Sequence, residues 1–104
     1  SRDDAGRFMS AYVQLGVFPE DPFQQLDIDG VGELMLLGAE RGRRARPELM
    51  LSICGEHAGH PATIAFSRRA GFDYVSCSPF RVPVAKLAAA QLSIQDKILP
   101  YDAH

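Results

Sequence analysis

The sequence predicts an α/β fold with two parallel strands and four main helices. Two short apolar runs, residues 49–54 and 72–77, are bounded by glycine or proline, and each is followed by a polar loop and a helical pattern. Continuous apolar runs of this length are typical of parallel strands that are buried on both faces. The alternation of strand, loop and helix is typical of right-handed crossovers within one sheet. Two strands alone would leave both edges open, so we expect this sheet to belong to a larger one.

The first helix is predicted over residues 4–15. Asp3 or Asp4 is placed to cap its first turn, and Gly16 is expected to end it. Its apolar residues recur at helical spacing, which favours an amphipathic helix. They are Phe8, Met9, Tyr12, Val13 and Leu15.

Residues 17–29 are predicted to form a loop, because Pro19 and Pro22 cannot lie inside a continuous helix. A second helix is predicted from Gly30, and it ends in the charged segment 40–46. The arginines of that segment could bind a phosphate or an acidic partner, but a charged run at a helix end is usually a solvated face. We interpret the segment as solvated.

Two helices are predicted in the second half of the chain. The third runs from Pro61 to Ala70, because proline suits a first helical position and Gly71 follows the last apolar residue. The fourth covers residues 82–92 and contains a run of alanines. Residues 93–104 are expected to form a C-terminal tail, in part helical, outside the domain.

The composition is that of an ordinary globular protein. Of 104 residues, 46% are hydrophobic and 23% are charged, with a formal net charge of -2. This hydrophobic fraction excludes disorder, and the longest apolar runs, such as residues 34–37, are far shorter than the ~18 residues of a membrane span. The balanced charge offers no broad positive surface, so nucleic acid is not an expected partner.

Two further expectations follow from the first residue and from the cysteines. The first residue is Ser1 rather than methionine and charged residues follow it, so we expect a piece of a longer protein. Cys54 and Cys77 occur without a signal sequence. We therefore expect free thiols and a cytoplasmic protein.

Polar side chains follow both predicted strands, at the ends where loops of parallel sheets gather functional groups. After the first strand, residues 54–60 supply a thiol, two glycines, a carboxylate and two imidazoles. Cys54 could act as an acid, a base or a nucleophile, or it could be a small buried hydrophobic residue at a strand end. Cys77 offers the same two interpretations. Because no charged residue adjoins Cys77, packing is its preferred role.

A zinc site is an alternative hypothesis for the same loop. Cys54, His57 and His60 form a Cys-x2-His-x2-His pattern, with Glu56 inside it. Only three ligands lie close together, however, and the paired spacing of zinc sites is absent. Loop histidines more often form hydrogen bonds or face solvent.

Several segments stand in the order shown by one enzyme family. The longest are Ile-Cys-Gly-Glu-His-Ala-Gly at residues 53–59 and the stretch at residues 72–91, which contains Ser-Cys-Ser-Pro. The shorter ones are Ser-Arg-Asp-Asp at 1–4, Asp-Pro-Phe at 21–23, Gly-Val-Gly at 30–32 and Glu-Arg-Gly-Arg at 40–43. Through these segments the chain, up to about Leu92, closely resembles the C-terminal end of the pyruvate, phosphate dikinase family, which is one of the phosphoenolpyruvate (PEP)-utilising families.

The resemblance implies a fold and an activity. Residues 1–92 would be the C-terminal part of a (β/α)8 barrel of the TIM type and would supply its last two strands. A complete barrel needs about 250 residues, so the rest would lie elsewhere in the parent enzyme. The family interconverts ATP, phosphate and pyruvate with AMP, pyrophosphate and PEP, through a phosphohistidine on a separate domain. Its magnesium ligands would precede Ser1, so no metal is expected on this chain. The implied partners are pyruvate or PEP, the other domains of the same chain and a second copy in a homodimer.

The resemblance also implies site residues. The family's acid/base cysteine falls on Cys54, which would protonate the methylene carbon of enolpyruvate or remove a methyl proton from pyruvate. Gly55 is expected to contact substrate, since glycine lets the backbone approach a ligand. Arg2 matches an arginine that contacts the substrate phosphate in enzyme I of the bacterial sugar phosphotransferase system, a related enzyme. Glu56 is expected to orient the loop, and Cys77 receives no catalytic role.

The isolated chain is expected to be inactive, because the remaining catalytic groups would lie upstream. Neither His57 nor His60 has the threonine and serine context of the family's phosphorylated histidine. The main alternative is a free-standing dimerisation or binding module that uses an open sheet edge and has no catalysis. The sequence before Ser1 separates the two, since an Asn-Asp-Leu segment there supports the enzyme and an initiator methionine supports the module.

Overall fold

The computed structural model describes residues 1–98, which form four helices, two parallel strands and three short helical turns. The helices are α1 (Arg2–Gln14), α2 (Glu33–Ala45), α3 (Pro61–Arg69) and α4 (Val82–Ile98), and the strands are β1 (Ser52–Cys54) and β2 (Tyr74–Ser76). A π-helical turn at Ile28–Gly32 precedes α2, and 3-10 turns at Glu56–Gly59 and Pro79–Arg81 follow the strands. The predicted α/β class, the four helices and the two parallel strands are therefore confirmed.

The sheet is smaller and more exposed than the sequence predicts. β1 and β2 pair in parallel, with Ser52 opposite Tyr74 and Cys54 opposite Ser76. Each strand has three residues, and only Ile53, at 8% exposure, is buried. The expectation of strands buried on both faces is wrong for this chain, because within residues 1–98 each strand has a single neighbour and lies at an edge of the sheet.

Asp73 joins the two segments that lead into the strands. Its carboxylate accepts hydrogen bonds from the backbone N–H of Leu51 at 2.7 Å and from Arg43 Nη2 at 3.1 Å. Its own backbone N–H donates to the Leu51 carbonyl at 2.9 Å. Asp73 therefore connects α2, the approach to β1 and the approach to β2.

The first helix begins earlier than predicted. Ser1 is its N-cap, and the Ser1 hydroxyl accepts a hydrogen bond from the Asp4 backbone N–H at 3.3 Å. Asp3 and Asp4 lie in the first turn, where carboxylates interact favourably with the helix dipole. The predicted cap at Asp3 or Asp4 is therefore wrong. Gly16, with a φ of 73°, follows the helix end as expected.

The core forms around α3. Thr63, Ile64 and Phe66 of α3 are buried, and Thr63 has no exposed surface. The Thr63 hydroxyl accepts a hydrogen bond from the Leu26 backbone N–H at 3.3 Å. At Gly32, an added Cβ would lie 3.2 Å from the Phe66 ring, so the turn before α2 packs directly on α3. These contacts attach the predicted proline-rich loop to the core.

The last helix extends past its predicted end at Leu92 and reaches Ile98. Arg68 of α3 donates hydrogen bonds to Asp96 at 2.6 Å and to Ser93 at 3.2 Å. These bonds hold the additional turns of α4 against α3. The other part of the predicted tail, residues 99–104, lies outside the described residues. Within residues 1–98, no helix has the length and apolar content that crossing a membrane requires.

Candidate active site

The loop after β1 begins with a sharp change of backbone direction. Cys54 ends the strand, and Gly55 follows with a φ of 122° and a ψ of 175°, a conformation that residues with a Cβ rarely adopt. A Cβ on Gly55 would lie 3.5 Å from the His57 imidazole. The backbone conformation at Gly55 therefore requires glycine, whatever contact this residue makes with a ligand.

The two cysteines differ in exposure. Cys54 is exposed at the end of β1, and Cys77, just after β2, is half-buried. Both thiols are free, as the sequence predicts. The interpretation of Cys54 as a buried hydrophobic residue is wrong for this chain, because the residue is exposed. An accessible thiol at a strand end is able to reach a ligand in solution.

Glu56 brings together two arginines from distant parts of the sequence. Its Oε1 lies 3.4 Å from Arg2 Nη1, and its Oε2 lies 3.2 Å from Arg81 Nε. Arg2 belongs to the first turn of α1, whereas Arg81 lies in the turn that follows β2. The ion pairs therefore place the start of the chain and both strand-end loops at one site. We name this group the Arg2–Glu56–Arg81 cluster.

Arg81 is held by three residues, Glu56, Gln24 and Gly59. Besides its ion pair with Glu56, it donates a hydrogen bond from Nη2 to Gln24 Oε1 at 3.0 Å. Its side-chain stem lies against Gly59, where an added Cβ would be 2.8 Å from Arg81 Cβ. The sequence pattern assigned no role to Arg81 or to Gln24. No local spacing links these residues, since they are separated by tens of positions.

The histidines of the loop have separate surroundings. His60 Nδ1 accepts a hydrogen bond from the Ala62 backbone N–H at 3.2 Å and caps the start of α3. His57 Nδ1 is buried and has no hydrogen-bond partner within residues 1–98. In that part of the chain, no group of three or more His, Cys, Asp or Glu side chains is arranged to hold a metal. The zinc site predicted as an alternative at Cys54, His57 and His60 is therefore wrong.

The same observation bears on Mg²⁺, the cofactor implied by the resemblance. Mg²⁺ prefers several oxygen ligands in octahedral order, and the described residues contain no such group. Glu56, the carboxylate nearest to Cys54 in sequence, is paired with two arginines instead. Residues 1–98 do not by themselves fit this ion.

The charged end of α2 pairs with acidic residues of the same chain. Arg44 pairs with Glu40, Arg46 with Glu48 at 3.1 Å, and Arg43 with Asp73 at 3.1 Å. Most of these side chains are exposed. Local pairing of this kind supports the interpretation of the segment as a solvated face.

The chain is similar to proteins of one enzyme family over nearly its whole length. A family model described as PEP-utilising enzyme, PEP-binding domain, matches residues 3–94. The pyruvate, phosphate dikinase of Rhizobium meliloti (strain 1021) is 59% identical over 97 residues, which are 93% of this chain and 11% of that protein.

Plant proteins match equally well. Pyruvate, phosphate dikinase 1, chloroplastic, of Oryza sativa subsp. japonica is 60% identical over 92 residues, 88% of this chain and 10% of that protein. Pyruvate, phosphate dikinase 2 of Zea mays is 57% identical over 94 residues, 90% of this chain and 11% of that protein. The chain thus spans about a tenth of the length of the relatives it matches. With a matching model over residues 3–94, the chain belongs to the PEP-binding domain family of the PEP-utilising enzymes.

Proposed function

We propose that the chain is the C-terminal part of a pyruvate, phosphate dikinase and carries the thiol acid/base of its pyruvate/PEP half-reaction. The whole enzyme would interconvert ATP, phosphate and pyruvate with AMP, pyrophosphate and PEP. Support comes from the family match and from relatives that are 57–60% identical and bear this name. The observation that carries the proposal is the exposed Cys54 thiol at the carboxyl end of β1. Cys54 precedes Glu56 of the Arg2–Glu56–Arg81 cluster by two positions in the sequence.

Cys54 would transfer a proton at the three-carbon substrate. In the direction of pyruvate formation, the S–H proton goes to the methylene carbon of enolpyruvate, and a thiolate and a methyl group result. In reverse, the thiolate removes a methyl proton and the enolate forms. A group in this role must reach the substrate carbon directly, which an exposed strand-end thiol is able to do.

Arg2 would bind the phosphate of the substrate, and Gly55 would line the site. The cluster contains two guanidinium groups and one carboxylate, so its net charge is positive and favours an anion. Gly55 adjoins Cys54 and has no side chain to obstruct the approach of a ligand. Mg²⁺ would be held by other residues of the whole enzyme, and the isolated chain would be inactive.

The chain would supply the last two strands of a (β/α)8 barrel. β1 and β2 are parallel, each is followed by a helix, and each has an edge without a neighbour among residues 1–98. Sites in such barrels lie at the carboxyl ends of the strands, where Cys54 and the loop that follows Ser76 are found. In the whole enzyme, the remaining strands would cover the exposed residues of β1 and β2.

We also propose a homodimer and a reducing compartment. Free thiols fit the cytoplasm, and the names of the plant relatives offer the chloroplast as the alternative.

The test is proton exchange in the full-length enzyme. Replacing Cys54 with alanine is expected to slow exchange of pyruvate methyl protons with deuterated water by at least ~10²-fold, measured by NMR. Phosphorylation of the enzyme from ATP and phosphate is expected to persist, since it needs no thiol at this strand. Cys77→Ala is the matched control and is expected to remain within several-fold of the wild type. If Cys77→Ala abolished exchange and Cys54→Ala retained it, the two roles would be reversed.

One observation favours a second candidate, a dimerisation or binding module without catalysis. Large apolar side chains are exposed on α2 and α4 and in the turn after β2, where Phe80 is 95% exposed. A partner or a second copy of the chain would cover them. Detection of dikinase activity in the full-length protein decides against this candidate.

A further inference from the structure

The two oxygens of the Glu56 carboxylate have different partners. Oε1 faces Arg2 at 3.4 Å, and Oε2 faces Arg81 at 3.2 Å. The Glu56 side chain is one-third exposed, so it is partly withdrawn from water. One carboxylate thus connects a residue of α1 to the turn that follows β2. Glu56 lies two positions after Cys54, so this connection adjoins the proposed acid/base.

The Arg81 side chain is already held by other residues of the chain. It uses Nε for Glu56 and Nη2 for Gln24, and its stem packs on Gly59. Its side chain is 33% exposed. A guanidinium with two of its nitrogens bonded and its stem packed has little freedom left, so Arg81 acts as an anchor for Glu56.

Arg2 is more exposed than Arg81 and has fewer polar contacts. Its side chain is 54% exposed, and its ion pair with Glu56 through Nη1 is its only polar side-chain contact within residues 1–98. A guanidinium has five N–H donors in a planar fork, and most of those of Arg2 face no protein acceptor there. Arg2 is therefore held at one nitrogen and open at the others.

We propose that Glu56 is a positioning residue that presents Arg2 to the phosphate of PEP. Arg81 anchors one carboxylate oxygen, the other oxygen holds Arg2 Nη1, and the remaining donors of Arg2 point to the substrate anion. This inference rests on the proposed function. It adds that the affinity for a phosphorylated substrate depends on a residue that does not touch it.

The proposal predicts different effects of Glu56 on PEP and on pyruvate. A guanidinium that is already held loses less conformational freedom when it binds an anion, so removal of its anchor weakens binding. PEP carries the phosphate and is expected to depend on Glu56. Pyruvate has no phosphate, so its methyl proton exchange is expected to be insensitive. A change in KM for PEP with little change in kcat is the signature of lost ground-state binding.

The experiment uses the full-length enzyme with Glu56→Gln, which removes the charge and keeps the shape. KM for PEP is expected to rise about tenfold, as for loss of a charge-assisted hydrogen bond, with pyruvate proton exchange within about twofold of the wild type. Glu48→Gln is the matched control, because Glu48 pairs with Arg46 at 3.1 Å on an exposed surface. It is expected to leave both quantities unchanged.

A double-mutant cycle distinguishes positioning from general destabilisation. If Glu56 acts through Arg2, adding Glu56→Gln to Arg2→Met is expected to change KM for PEP by less than about twofold. Full additivity of the two effects would overturn the inference. So would an unchanged KM in Arg2→Met, while the loss of proton exchange in Cys54→Ala would still support the proposed function. An inactive wild-type enzyme would instead refute the proposed function.

A second variant covers the case in which Glu56→Gln does not fold. Glu56→Asp keeps the charge but is one methylene shorter, so it cannot span both arginines in their present positions. It is expected to raise KM for PEP by several-fold at an unchanged melting temperature. If both variants lower the melting temperature and Glu48→Gln does not, Glu56 is structural and the inference fails.

Discussion

Asp73 accepts a hydrogen bond from the backbone N–H of Leu51 at 2.7 Å, and this bond joins the approaches to both strands. The same carboxylate oxygen accepts from Arg43 Nη2 at 3.1 Å. A single side chain thus links the two segments that lead into β1 and β2. Cys54 and Ser76 face each other at the other end of the same two strands, so Asp73 supports the pairing on which the proposed site is built.

Replacing Asp73 with alanine is expected to lower the free energy of unfolding by about 1–2 kcal/mol, because the Leu51 N–H and Arg43 lose their acceptor. Because the Asp73 side chain is partly exposed, we expect no larger loss of the free energy of unfolding. Urea unfolding of the 104-residue chain, followed by circular dichroism, measures it. Asp29→Ala is the control, since Asp29 is exposed and its side chain has no hydrogen-bond or ion-pair partner within residues 1–98. Equal midpoints for the two variants would contradict the prediction.

The two thiols are expected to react at different rates. Cys54 is exposed and Cys77 is half-buried, so iodoacetamide is expected to modify Cys54 at least about threefold faster. Peptide mass spectrometry after short reaction times measures both rates. Under denaturing conditions the two rates should become similar, which is the internal control. Faster modification of Cys77 in the folded chain would show that the assigned exposures are wrong.

The isolated chain is expected to self-associate through its apolar surface. Leu87 and Ile94 lie seven positions apart on α4, so they share a face, and they are 60% and 58% exposed. The double change Leu87→Gln with Ile94→Gln is expected to reduce the mass measured by light scattering and the binding of a hydrophobic dye. Leu15→Gln, at an exposed position beyond the end of α1, is the control. A compact wild-type monomer that binds no dye would count against the proposal that other strands cover this chain.

The isolated chain is expected to bind neither Mg²⁺ nor PEP with useful affinity. Within residues 1–98 no group of carboxylates is arranged for a divalent cation, and Glu56 is neutralised by its arginines. Titration calorimetry with Mg²⁺, with PEP and with both measures the affinity. Magnesium-dependent binding of PEP in the micromolar range would show that the chain contains more of the site than we propose.

The local structure of the chain could be predicted where the signals lie within a few residues. Pro61 starts α3 because its fixed φ suits a first helical position, and Gly16 follows α1 because it adopts a positive φ. The two apolar runs mark the two strands, and the segment around Cys54 carries the family resemblance. Each of these features depends on a side chain and its immediate neighbours.

Long-range features required the tertiary structure. The extension of α4 to Ile98 depends on Arg68 and Asp96, which are 28 positions apart. The pairing of Glu56 with Arg2 joins residues that are 54 positions apart. Neither pair has a spacing that a helix or a strand would impose. The burial of the strands likewise depends on which neighbours they have, and not on their own apolar content.

The sequence by itself therefore determined the fold class, the order of the elements and the thiol at the end of β1, because hydrophobic periodicity and the conformational limits of proline and glycine act locally. Only the tertiary structure decided that Cys54 is exposed, that His60 caps α3 instead of binding zinc, and that Arg2 and Arg81 share one carboxylate. Such contacts depend on the path of the whole chain, which brings distant charges within bonding distance.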